Sequence, residues 1–236
     1  GNLEFTVVSS LVSRHLSMVK NDGKGNFSVG WDRFIEHIYP TDTTEVRFTY
    51  NSINDVDGDG YPDMVVSLYN TRGDGRWYTE IVDPLTGNIK YEIPDIFMWG
   101  LQDVDNDGVY EIFGSKEFKR IQKDFSELYM FDFSGGRFTE KKIKDNAAFA
   151  TRYINSKSDL AIFRFEQLAE ELWSAKFSGN DYILSVETEG DGMNLLLINP
   201  DNLSEKKIFF ANTTRLNVCQ VADLDNDGEP EIVVSD

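Results

Sequence analysis

The stretch Asp55-Val56-Asp57-Gly58-Asp59-Gly60-Tyr61-Pro62-Asp63 decides how this chain is read, because the sequence writes the same phrase twice more. The copies are Asp103-Val104-Asp105-Asn106-Asp107-Gly108-Val109-Tyr110-Glu111 and Asp223-Leu224-Asp225-Asn226-Asp227-Gly228-Glu229-Pro230-Glu231. Carboxylates at positions 1, 3 and 5 of each phrase converge as the backbone curls, and the glycine at position 6 permits the sharp turn. The carbonyl of position 7 (Tyr61, Val109 or Glu229) and the carboxylate of position 9 (Asp63, Glu111 or Glu231) complete an oxygen shell suited to Ca²⁺. Two like charges about 4 Å apart repel by roughly 4 kcal/mol at an effective dielectric of ~20, so four carboxylates in one turn require a counter-cation. The expectation is three calcium ions, one per phrase.

The flanks separate these loops from an EF-hand, which also opens DxDxDG but needs a bidentate Glu at position 12 inside a helix. Here position 12 is Val66, Gly114 or Val234, within runs such as Met64-Val65-Val66-Ser67-Leu68 and Glu231-Ile232-Val233-Val234. These are β-branched runs of strand length, so the loops are expected between strands. Thrombospondin-type calcium repeats need frequent cysteines, and this chain has only Cys219.

The first two loops start 48 residues apart and the second and third 120 apart, so a unit is missing from the series. It is found at Leu172–Leu184, where Ser178-Gly179-Asn180-Asp181 stands in place of an acidic loop, a unit read as having lost its metal. The intervening residues 145–171 form an insertion, and Phe165-Glu166-Gln167-Leu168-Ala169-Glu170-Glu171-Leu172 has the apolar spacing of a short helix. Turn signals such as Pro84-Leu85-Thr86-Gly87-Asn88 and Ser134-Gly135-Gly136 cut each unit into four strands. The first unit is read as 46–53, 64–70, 76–83 and 88–93, and the second as 96–102, 110–115, 126–133 and 137–143. A period near 45–50 residues with four strands per unit predicts an all-β fold, a β-propeller. The expected division is a blade fragment at 1–44, blades at 45–94 and 95–144, the insertion 145–171, a metal-free blade at 172–214 and a blade start at 215–236. Either about four blades close a small ring or the chain is part of a larger propeller, and the second reading is preferred.

On these residues the chain resembles the integrin-type propeller repeats, the FG-GAP and VCBS families, whose blades carry a DxDxDGxx[DE] calcium loop between their first and second strands. Asn21-Asp22-Gly23-Lys24-Gly25-Asn26-Phe27 resembles the hairpin before the last strand of a VCBS repeat. No clear Gly-Ala-Pro element is present, which favours a VCBS-like branch over an integrin subunit. The resemblance implies calcium that stiffens the blades on one face and ligands that meet loops on the other.

Composition bounds the partners. The formal charge is −18 with a pI near 4.4, which bound calcium reduces without cancelling, so nucleic acid and anionic membrane surfaces are poor partners. Two basic clusters, Lys116, Lys119, Arg120 and Lys123, then Lys141, Lys142 and Lys144, read as solvated strand edges. No apolar run is long enough to span a membrane and no signal peptide is evident; the chain starts at Gly1, so a removed leader or a chosen boundary is expected. Cys219, in an expected inner strand, reads as a buried thiol. Loops of extracellular type bind calcium with dissociation constants of roughly 10⁻⁴ to 10⁻³ M and stay empty in cytosol, which points to an extracellular, surface or periplasmic setting. The sequons at Asn26, Asn202 and Asn212 add little.

No catalytic constellation emerges. His15 and His37 lack zinc-ligand spacing, Cys219 has no nearby histidine, and neither a GxSxG elbow nor a phosphate-binding glycine loop is present. Glu187, Glu189 and Asp191 read as an acidic turn in preference to an acid–base pair. Trp99 and Trp173 fall at equivalent positions of two units and are expected in the core. Trp77-Tyr78 follows a Gly-Asp-Gly turn; packing is the favoured role for Trp77, with stacking of the pair on a sugar as the speculative alternative. The sequence therefore predicts a non-enzymatic, calcium-stabilised recognition module for an extracellular protein or glycan, with further blades or domains as neighbours. The alternatives are part of a polysaccharide-degrading enzyme or calcium-dependent phosphatase, and a structural spacer.

Overall fold

The computed structural model of the chain describes residues 5–9, 15–34, 44–47, 52–70, 74–116, 126–147, 151–154, 167–170, 173–177, 179–213 and 216–235. Among them every helix or strand assigned is a strand, and every strand pairing is antiparallel. The first sheet is the meander β1 (Phe5–Ser9), β2 (His15–Asn21) and β3 (Phe27–Phe34). In the second, β4 (Thr44–Arg47) and β5 (Ile53–Asn54) both pair with β6 (Asp63–Asn70), and β7 (Trp77–Val82) and β8 (Ile89–Pro94) follow. The third runs through β9 (Ile96–Gln102), β10 (Glu111–Lys116), β11 (Ser126–Ser134) and β12 (Arg137–Ala147). A pair, β13 (Thr151–Ile154) with β14 (Gln167–Glu170), precedes the fourth meander of β15 (Trp173–Phe177), β16 (Asn180–Glu189), β17 (Gly192–Ile198) and β18 (Glu205–Ala211). The last described sheet is β19 (Asn217–Ala222) with β20 (Glu231–Ser235).

Apart from the β13–β14 pair, each sheet packs on the next in chain order. Leu16 and Trp31 of the first sheet meet Met64, Val66, Leu68 and Val82 of the second. Val65, Ile81 and Ile93 of the second meet Met98, Leu101 and Ile112 of the third. Trp77, Trp99, Phe113, Leu128, Ile183 and Ile198 carry the core from the second sheet through the third to the fourth. Leu184, Leu195 and Leu197 of the fourth meet Leu216, Val221 and Ile232. Strands covered on both faces read as apolar runs, as in Met64–Val66 and Leu195–Ile198, and each fully buried Leu, Ile or Phe contributes about 1.5–3 kcal/mol. Where two sheets bring backbone together, buried hydroxyls bridge them: Ser67 Oγ accepts from the Met98 N–H at 2.9 Å, and Thr79 Oγ1 donates to the Ile96 carbonyl at 2.9 Å.

Two expectations are corrected. The predicted helix at 165–172 is not formed over its described residues, because Gln167–Glu170 is a strand whose Leu168 and Ala169 face Tyr153 and Arg152 of β13. Eight residues are too few to repay helix nucleation, whereas Thr151-Arg152-Tyr153-Ile154, with its β-branched and aromatic residues, offers a ready edge to pair with. Trp77 and Tyr78 are not presented to solvent: they are 2% and 7% exposed, with Trp77 edge-on to Phe97 at 4.6 Å between ring centres. The turn before them is exposed, but Trp77 opens a strand whose two faces are both covered by neighbouring sheets.

Candidate cation-binding loops

All three acidic loops join two neighbouring antiparallel strands: β5 to β6, β9 to β10, and β19 to β20. One oxygen from each of Asp55, Asp57 and Asp63 lies within 4.8 Å of the others, and the same holds for Asp103, Asp105 and Asp107 and for Asp223, Asp225 and Glu231. These three clusters can hold cations. The loop backbone makes the convergence: Gly60, Gly108 and Gly228 N–H groups donate back to the position-1 carboxylates at 2.8, 3.1 and 3.0 Å. The position-5 carboxylates of Asp59, Asp107 and Asp227 each accept the N–H two residues on. Asp63, Glu111 and Glu231 at position 9 each accept the N–H of position 2, at 3.2, 2.9 and 2.7 Å, and this closes the loop onto the following strand.

Position 4 was missed by the sequence reading. Gly58, Asn106 and Asn226 have φ of 71°, 63° and 64°, so the chain passes twice through the left-handed region, at positions 4 and 6. Gly and Asn are the residues that enter it most readily, and their restriction to position 4 in all three copies was the available signal. Tyr61, Val109 and Glu229 take position 7 as expected; Tyr61 is 71% exposed, so its side chain serves neither core nor cage.

The first two loops are neighbours in the stack. Tyr110 N–H in the second donates to the Asp55 carbonyl of the first at 2.8 Å. Asn106 reaches the turn of the fourth sheet, donating to Asp181 at 3.0 Å while Lys176 donates to Asn106 Oδ1 at 2.5 Å. That turn is the one read as having lost its metal, and its Asp181 lies 3.4 Å from the Lys176 ammonium.

The electrostatics of the first two loops differ. In the second, Asp103 Oδ1 is buried with no hydrogen-bond partner, and burial with the nearby charges of Asp105 and Asp103 pushes the Glu111 carboxyl up to about 7. Burial also raises Asp105. An orphaned buried carboxylate oxygen beside raised acids fits a hard cation bound through oxygen. In the first loop, Lys90 Nζ lies 2.6 Å from Asp57, 2.8 Å from Asp59 and 2.8 Å from Asp63. Burial pushes the Asp63 carboxyl up while the Lys90 hydrogen bond pulls it back; the bond from Lys90 holds Asp59 below the usual range. Burial opposes the charge on Lys90, but the bonds to Asp57, Asp59 and Asp63 outweigh it and raise its pKa.

The other candidates are engaged. Glu187 and Glu189 are bridged by Lys207 at 2.9 and 3.0 Å, and Asn194 and Lys207 hold Glu189 below its ordinary range, the opposite of what a general acid needs. Lys142 pairs with Glu127 and Asp145, Lys144 with Glu205, Lys116 with Glu140, and Lys141 donates to the Pro200 and Asp201 carbonyls. Lys119, Arg120 and Lys123 lie outside the described residues, as does the His37 reading, and nothing is described of the Cys219 and Trp173 side chains. Trp99 is buried and donates to Ser115 Oγ at 2.6 Å.

Fold and loops together define an all-β protein of stacked meander sheets with three acidic cation loops. No family model and no curated protein matches the chain. Two solved structures are similar to it: the exotype rhamnogalacturonan lyase YesX, at 16% identity and a TM-score of 0.49, and a Bacillus licheniformis rhamnogalacturonan lyase, at 15% and 0.48. They are matched over 92% and 93% of this chain, which spans about half their length, 46% and 47%.

Proposed function

We propose that the chain is a calcium-stabilised β-propeller segment of the FG-GAP/VCBS type that serves extracellular recognition of a protein surface or a glycan. The observation that carries the calcium reading is the second loop, where a buried Asp103 oxygen without a partner sits among acids whose charge is unfavourable unless a cation joins them. The propeller reading is supported by four-stranded meanders whose cores are shared with the neighbouring sheets, each acidic loop joining two adjacent antiparallel strands. Ions held wholly by protein oxygens have little coordination left for a substrate, so the loops act as struts and recognition falls to other surfaces. An extracellular or periplasmic setting follows from the weak affinity of such loops; no helix among the described residues is long and apolar enough to cross a membrane.

Bound metal is counted first, by native mass spectrometry with Ca²⁺ or Mg²⁺; a chain that takes up Mg²⁺ as readily as Ca²⁺, or neither, rules the reading out. A glycan array beside a pull-down of surface proteins then identifies the recognised class. Incubation with rhamnogalacturonan and other acidic polysaccharides tests the enzymatic alternative, which bond cleavage would put in its place.

A further inference from the structure

The geometry points to Lys90 as a built-in counter-cation of the first acidic loop, one that calcium must displace to enter. This inference rests on the calcium reading of the loops and adds that they are not equivalent. Its ammonium bonds three of the four carboxylates that would ligate an ion, and the fourth, Asp55, has its two oxygens engaged by the Gly58 and Gly60 N–H groups at 2.8 Å. The Asp57 and Asp63 side chains are only 4% and 1% exposed, so their charges are compensated inside the protein. Among the described residues no lysine or arginine pairs with Asp103, Asp105, Asp107 or Glu111, or with Asp223, Asp225, Asp227 or Glu231.

The backbone delivers Lys90 on purpose-built geometry. In the β7–β8 ladder Ile81 faces Tyr91 and Val82 faces Ile89, so Lys90 is the extra residue of a β-bulge. A bulge leaves one residue unpaired and re-aims its side chain, and the Lys90 ammonium here ends against the loop that precedes β6. The charge is therefore tethered in place by the fold. A tethered ammonium competes with free calcium at a high effective concentration and weakens this loop relative to the others by at least about tenfold.

The test uses the full chain, wild type and Lys90→Met, with calcium alone as the probe. Titration calorimetry and native mass spectrometry of the wild type should show two ions bound before a third whose affinity is at least about tenfold weaker. In Lys90→Met the weakest site should tighten by the same factor, and Lys90→Arg, which keeps a cation, should not reproduce the gain. Three equivalent sites in the wild type, unchanged by Lys90→Met, overturn the inference and leave the calcium reading standing. No ion bound by either protein overturns the calcium reading itself. Should Lys90→Met fail to fold, amine acetylation of the wild type, read peptide by peptide, decides. Without calcium Lys90 should react at least about tenfold more slowly than the surface Lys142, and saturating calcium should release it; equal rates refute the counter-cation.

Discussion

The loops at 55–63 and 103–111 share their nine-residue pattern and their backbone, yet one is closed by a lysine and the other leaves a carboxylate oxygen buried and unpartnered. The difference teaches that a repeated motif fixes where carboxylates converge, while the neighbouring strand fixes what balances them. Beside the first loop the bulge in β8 supplies Lys90. Beside the second, no described basic side chain reaches in, and burial together with the charges of Asp105 and Asp103 pushes the Glu111 carboxyl up to about 7.

The comparison can be broken most forcefully by removing metal. With calcium near tenfold above its dissociation constant, each filled loop adds about 1.4 kcal/mol, so EDTA should lower the melting temperature by about 10 °C, with recovery on Ca²⁺ and much less on Mg²⁺. Hydrogen exchange should place the loss of protection around 103–111 more than 55–63; uniform loss would erase the distinction. Second in size is a pair of substitutions followed by denaturant unfolding in EDTA. Asp63→Asn removes the most buried partner of Lys90 and should cost about 3 kcal/mol, whereas Glu111→Gln removes a buried charge with no cation and should be near neutral or stabilising. Equal costs would refute the contrast.

A pH series sharpens it further. Glu111 has a folded pKa raised above its ordinary value of 4.5, so the metal-free folded protein holds a proton that the unfolded chain releases. The Glu111 contribution to stability in EDTA should therefore be fully present below about pH 4.5 and be lost as pH rises to about 7, by on the order of 2 kcal/mol, and Glu111→Gln should flatten that slope. A slope that survives the substitution assigns the effect elsewhere. The smallest effect belongs to the exposed bridge between Lys207 and the pair Glu187 and Glu189: Lys207→Met should leave the denaturant midpoint almost unmoved, against the larger cost of Asp63→Asn.

Much of this was legible in the sequence. Apart from the expected strand 46–53, in whose place stand the two short strands β4 and β5, and the late-ending β12, the strands of the second and third sheets fall within about two residues of their expected positions, because Val, Ile and Phe runs punctuated by Gly, Pro and Asn turns encode them locally. The helix expected at 165–172 failed because apolar spacing over eight residues suits either structure, and the partner strand β13 decided it. The burial of Trp77 agrees with the packing role favoured for it; the speculative sugar platform fails because an exposed turn says nothing of the sheet that covers the strand after it.

The nine residues of each loop by themselves determined where the carboxylates converge, since left-handed turns at Gly and Asn and hydrogen bonds spanning two to seven residues draw them together within the loop. The balance of charge in each cage was decided only by tertiary structure. Lys90 stands 27 residues beyond Asp63, and its arrival depends on the register of β7 with β8 and on a single bulge. Pairing across strands is set by packing and register, which no local pattern of residues specifies.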